Sequence, residues 1–156
     1  MGRKILVAFD DSNNAMRAIQ FVAETFTPDN IITIFSVIQD SATLCEMNSP
    51  ELTPYFVSQQ ESFCILEDKK KELIKEAQEK AKKLLMDAGF SAKHIILKLN
   101  RRKKGVARDI IEEANSGYDM VVMGRRGLSG IKEFVYGSIS QKVLQMAKDV
   151  SVLIVN

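Results

Sequence analysis

The chain has 156 residues, a length that fits one domain with a core able to stand without staples. Apolar residues make up 46% and charged residues 27%, and 22 Lys and Arg against 20 Asp and Glu leave a formal charge of +2. That near-balance gives no electrostatic ground for nucleic acid or a membrane surface as partner. No apolar run is long enough to span a bilayer, and Met1-Gly2-Arg3-Lys4 has no signal-peptide profile, so the expected location is the cytoplasm. The two cysteines, Cys45 and Cys64, read there as reduced thiols, and with His94 as the single histidine they make no zinc-type ligand cluster.

Lys4 to Phe9 (KILVAF) is a nearly unbroken apolar run, the pattern of a strand covered on both faces. It ends at Asp10-Asp11-Ser12, where Asp11 or Ser12 can cap a helix, with Asp11 turned outward as the preferred reading. Ala15, Ala18, Ile19, Val22 and Phe26 then recur at helical spacing. After the turn Thr27-Pro28-Asp29-Asn30, Ile31 to Ile38 is a second buried strand. Gln39 to about Ser62 carries Pro50, Pro54 and scattered polar residues, and reads as an irregular lid-like or interface excursion (39–62). From about Phe63 to Ala88 the pattern is a long amphipathic helix, with Leu66, Leu73, Ile74, Ala77, Ala81, Leu84, Leu85 and Ala88 on one stripe and Gly89 as its stop.

His94 to Leu99 is the third strand, with His94 at its start rather than in a catalytic position. The basic run Arg101 to Lys104 follows and reads as a solvated loop. A helix then places Val106, Ile110, Ile111 and Ala114 inward and ends near Gly117. Met120 to Met123 is a buried strand that breaks at Gly124 into a loop holding Gly127 and Gly130 and closes on Gly137-Ser138. A helix from Ser138 to about Lys148 and a last strand, Val150 to Val155, complete the chain. Five buried strands alternating with helices predict a single-domain α/β fold, a parallel sheet wound on both faces by right-handed crossovers.

The segment from Gly124 to Ser138 carries the chemistry. Glycines let a backbone approach a ligand closely or adopt positive φ. A helix N-terminus offers unpaired N–H groups and the positive end of its dipole, and the two together suit phosphate. Ser138 with Gln141 reads as a capping box. Arg125 and Arg126 bring guanidiniums, of which Arg126 is the better placed for phosphate. In a doubly wound sheet ligands sit beyond the carboxyl ends of the strands, where the winding reverses. With strands one and four as neighbours, Asp10 faces the Gly124 loop across one crevice, where its carboxylate can meet a ribose hydroxyl or a magnesium ion. The Walker A loop and the dinucleotide GxGxxG are both absent.

Gly124, two residues, Gly127, nine residues, Gly137-Ser138 is similar to the G-x2-G-x9-G-S/T signature of the ATP-binding subgroup of the universal stress protein family. The resemblance covers the whole chain, through Asp10 and Ser12 after the first strand, Val37 near the end of the second and the closing SVLIV. It implies a flavodoxin-like or Rossmann-like sheet of order 3-2-1-4-5. It implies that Asp10 takes the ribose or, through water, Mg²⁺, and that Ala8, Val37 and Met123 flank the nucleoside. Gly124, Gly127 and Gly137 would close on the phosphates, and Ser138, Ile139 and Ser140 would donate to them. The implied ligand is ATP, ADP or AMP, with Mg²⁺.

The last strand, with Val150, Val152, Leu153, Ile154 and Val155, is an apolar edge that needs a cover. The resemblance implies a homodimer paired through it. Three functions follow. The first is an ATP-binding, stress-associated regulatory module. The second is a slow ATPase or a nucleotidyl or phosphoryl transferase, against which stands the lack of a positioned general base. The third is a dimeric scaffold that holds no nucleotide and acts through segment 39–62.

Overall fold

A computed structural model of the chain describes residues 2–125 and 138–156. Five parallel strands form one sheet: β1 (Lys4–Ala8), β2 (Ile31–Ile38), β3 (Ile95–Arg101), β4 (Met120–Gly124) and β5 (Ser151–Val155). Their order is β3-β2-β1-β4-β5, as the resemblance implies, with β3 and β5 at the edges. The helices are α1 (Asn13–Thr25), α2 (Ala42–Cys45), α3 (Pro54–Asp87), α4 (Val106–Ala114) and α5 (Ser138–Met146), and a 3₁₀ turn at Ala92–His94 precedes β3.

Alternate residues of each central strand point to opposite faces, so two cores form. Ile5, Val7, Ile32 and Ile34 meet Ile19 and Val22 of α1 and Ala81 and Leu85 of α3 on one face. Leu6, Ala8, Phe35, Val121 and Met123 meet Ile110 and Ile111 of α4 and Val143 of α5 on the other. These strands read as continuous apolar runs because both faces are covered.

The region after β2 departs from the expectation of an irregular excursion. It contains α2, and α3 begins at Pro54 rather than near Phe63. Thr53 caps α3, accepting from the N–H of Phe56 at 3.2 Å, and Pro54 sits at the first helical position, where its missing N–H costs nothing. The expected stripe on α3 is also cut short. Its buried residues are Gln78, Ala81 and Leu85, all in the second half, while Leu66 and Leu73 are exposed. The cause is length: 34 residues rise about 51 Å, roughly twice the span of the longest strand, β2, at 8 residues. The first half of α3 therefore has no sheet beneath it.

The two cysteines are not reduced thiols. Cys45 on α2 and Cys64 on α3 are joined by a disulfide across 19 positions, because α2 folds back along the first half of α3. Asp11 is exposed and does not cap α1; Ser12 does, its Oγ accepting from the N–H of Ala15 at 3.1 Å. α5 is described from Ser138 onward, and Gly137 before it lies outside the described residues. His94 lies in the 3₁₀ turn, its Nδ1 3.0 Å from the Pro28 carbonyl.

Candidate functional site

The site expected from the sequence lies where β2, β1 and β4 end side by side. Ala8 pairs in register with Met123 across β1 and β4, and with Phe35 across β1 and β2. Asp10 therefore leaves the sheet between the exits of β2 and β4. Asp10 is half-buried, and one carboxylate oxygen, Oδ1, accepts the N–H of Ser12 at 2.9 Å. That bond folds the turn and orients the carboxylate.

Four residues named by the resemblance come together on one face. Ala8 and Met123 are buried in the same apolar cluster against which Val37 and Ile139 pack. They sit on β1, β4, β2 and α5, up to 131 positions apart in sequence between Ala8 and Ile139, and only the 2-1-4 strand order joins them. Ser138 is exposed, and Ser140 is 2% exposed. The Ser140 hydroxyl lies 3.0 Å from the carbonyl of Gly124 and 3.1 Å from that of Arg125, so its proton is directed at the end of β4. Gly124, at the end of β4, packs against α1. A Cβ built on it would fall 2.7 Å from the carbonyl oxygen of Asn14 in the first turn of α1. Its missing side chain is what lets β4 close on α1. Arg126, Gly127, Gly130 and Gly137 lie outside the described residues.

A polar network that sequence reading missed braces the same end of the sheet. Ser36, buried on β2, donates to the Phe9 carbonyl at 2.5 Å. Gln78, 3% exposed on α3, donates its side-chain amide to Ser36 Oγ at 2.9 Å and to the Lys98 carbonyl at 3.1 Å. Buried polar groups are held this way because leaving them unpaired is costly. The chain Gln78–Ser36–Phe9 fixes the turn that presents Asp10. The one available signal was a glutamine on the apolar stripe of α3, one position after Ala77.

The basic run divides. Arg101 ends β3, and Arg102 donates its N–H to the Ile38 carbonyl at 2.7 Å. The N–H groups of Lys103 and Lys104 bond the buried Asp109 carboxylate at 2.8 and 3.0 Å, and the Lys104 ammonium pairs with Glu112 at 3.0 Å. Arg101 also borders a cleft of about 370 Å³ that includes Val37, Ala42, Cys45, Cys64 and Ile74. Val37 thus belongs both to this cleft and to the apolar cluster around Ala8.

On the α4 face, Lys98 donates to Glu113 Oε1 at 2.6 Å, and the Tyr118 hydroxyl donates to the same oxygen at 3.1 Å. The hydrogen bond to Glu113 holds the Lys98 ammonium above its ordinary pKa, and burial pushes the Tyr118 phenol up. This cluster stands apart from Asp10 and belongs to the frame of the sheet.

A family model described as the Universal stress protein family matches residues 1–156. Among solved structures, hypothetical protein MJ0577 is 25% identical, with a TM-score of 0.72, over 99% of this chain and 96% of that one. Universal stress protein UspA from Lactobacillus plantarum is 20% identical, with a TM-score of 0.69, over 99% and 97%. A universal stress protein solved in complex with cAMP is 18% identical, with a TM-score of 0.64, over 99% and 97%. No curated protein matches the chain.

Proposed function

The chain belongs to the universal stress protein family, and from that premise we propose that it is an ATP-binding regulatory module acting as a homodimer in the cytoplasm. The observation that carries this reading is the adjacency of β1 and β4, which brings Asp10 and the start of the glycine loop to the same end of the sheet. The apolar cluster of Ala8, Val37, Met123 and Ile139 supports it, since its rim can take the face of a purine. A nucleotide in a related protein's structure, cAMP, is consistent with it.

The residues present fit a magnesium–adenine nucleotide. Mg²⁺ is commonly held by one or two carboxylates together with the substrate's phosphates, and Asp10, half-buried at the exit of β1, supplies one carboxylate. When bound, Mg²⁺ would neutralise phosphate charge. Asp10 would hold it through water or meet the ribose. Val37 would offer main-chain contacts to the base, and Gly127 and Gly137 would let the loop close on the phosphates, with Arg126 beside them. Ser138, Ile139 and Ser140 would donate from α5. In the case of Ser140 the donor is its N–H, because its hydroxyl is turned to β4. In this reading the module signals by occupancy rather than turnover.

The dimer would form through β5, the edge strand whose Val152, Leu153 and Ile154 are each only half-buried, as is Val150 just before it, with Val155 buried beside β4. Nucleotide released on denaturing the purified protein, identified by chromatography, tests the first claim. An empty protein that also fails to bind added Mg-ATP in titration calorimetry overturns it. Sedimentation of Val152→Lys/Ile154→Lys tests the second: monomers are expected, and an unchanged dimer removes β5 as the interface.

A further inference from the structure

The Cys45–Cys64 disulfide borders the cleft that shares Val37 with the proposed nucleotide site. We propose that this bond is a redox-operated latch: oxidised, it holds α2 as one wall of the cleft; reduced, it frees α2 and weakens nucleotide binding at the neighbouring site. The proposal rests on the nucleotide-binding reading above.

The first ground is how little else holds α2. No residue of α2 is buried, and its N-cap, Ser41, makes no side-chain capping bond. A helix of 4 residues has no stability of its own. Besides the disulfide, the Gln60 side-chain amide reaches back from α3 to the carbonyls of Leu44 and Met47. The half-buried Gln60 amide, with its two bonds, contributes about 1–2 kcal/mol, against roughly 3 kcal/mol for a cross-link closing a loop of this size. Removing the bond therefore removes the stronger of these two ties between α2 and α3.

The second ground is access. Cys45 is exposed and Cys64 half-buried, so a reductant can reach the pair. Exposed disulfides are the labile ones, and this one sits between a helix with no buried residue and the overhanging half of α3. In the cytoplasm, the location proposed above, a disulfide is commonly transient and redox-sensing.

The third ground is position. The chain leaves β2 at Ile38, one residue after Val37, and enters α2 four residues later. Cys45, Ala42 and Val37 line one cleft with Cys64 and Ile74 of α3. Freeing α2 withdraws the far wall from the side of the site where the base would lie.

The chemistry balances with a dithiol reductant. One of its thiolates attacks a sulfur of the Cys45–Cys64 bond and forms a mixed disulfide. Its second thiol then displaces the protein sulfur. Two electrons and two protons pass to Cys45 and Cys64, and the reductant leaves as a disulfide.

The test uses the full chain, oxidised and after dithiothreitol, with the double variant Cys45→Ser/Cys64→Ser as a redox-blind control. Amide hydrogen exchange over residues 40–53 is expected to speed up about tenfold or more on reduction. Mg-ATP affinity by calorimetry is expected to fall about three- to tenfold, the cost of ordering a segment that the bond had preorganised. The double variant should show the reduced-state values with or without dithiothreitol. Exchange or affinity unchanged by reduction overturns the latch, as does a double variant that matches the oxidised protein. Absence of ATP binding in both redox states is a separate result: it overturns the nucleotide reading, and the latch falls with it.

Discussion

The inner seam of the sheet and its outer arm are held by opposite means. At the seam, β2, β1 and β4 end in buried contacts: Ser36 on the Phe9 carbonyl, Gln78 on Ser36, Gly124 against Asn14 and Ser140 on Gly124. At the arm, α2 and the first half of α3 lie exposed, with Tyr55, Ile65, Leu66 and Leu73 at the surface and one covalent bond between the two helices. Dense packing over-determines a geometry, so the seam can present Asp10 in one orientation. The arm, tied at few points, can change shape without disturbing the sheet. The chain joins the two directly, since α2 and α3 follow β2, a strand of the seam.

The sharpest way to test that contrast is to separate ligand from frame at the glycines. Gly127→Val is expected to lower Mg-ATP affinity about 100-fold with the fold intact, since a branched side chain blocks close approach of the phosphates. Calorimetry and thermal unfolding read the two effects separately, and unaltered affinity would dissociate that loop from phosphate. Gln78→Ala follows. It strips the partner from Ser36 and leaves a void, costing about 2–4 kcal/mol in denaturant unfolding. A loss below 0.5 kcal/mol, on the scale of ordinary surface changes, would mean that the network does not brace the seam. Gly124→Ala should cost about 1–3 kcal/mol, because α1 must retreat from the new methyl group. Unchanged stability there would refute the contact with Asn14.

A smaller effect is expected from pH. Lys98 and Tyr118 both hold their protons more tightly in the folded chain than in the unfolded one. Their contribution is complete below about pH 10 and is lost as pH rises through the folded values. The melting temperature should therefore fall more steeply above pH 10 in the wild type than in Glu113→Gln, which removes the negative charge that both groups face. Parallel curves would dismiss the cluster as a contributor. Leu66→Ser on the arm should change stability by less than about 0.5 kcal/mol. A large loss would show that this face is covered in solution.

Much of this molecule was legible before any coordinates. Unbroken apolar runs such as Lys4 to Ala8 and Ile31 to Ile38 require strands covered on both faces, and helical spacing after Ser12 and Gly105 requires the helices between them. The G-x2-G-x9-G-S spacing was visible as well, and with it the family. Less legible were the start of α3, hidden in the Thr53-Pro54 signal, and the inward face of that helix, which depends on how far the sheet extends beneath it. The capping role of Asp11 went to Ser12 because Asp10 folds the turn by accepting from the Ser12 N–H.

Local sequence determined the order and type of the elements, since burial periodicity is written residue by residue. The tertiary structure alone decided which distant groups meet. Gln78 reaches Ser36 across 42 positions, Gly124 is pressed on Asn14, and Cys45 is bonded to Cys64. Each of these pairings depends on how strands and helices pack in three dimensions, and side-chain spacing along a single segment carries no record of that packing.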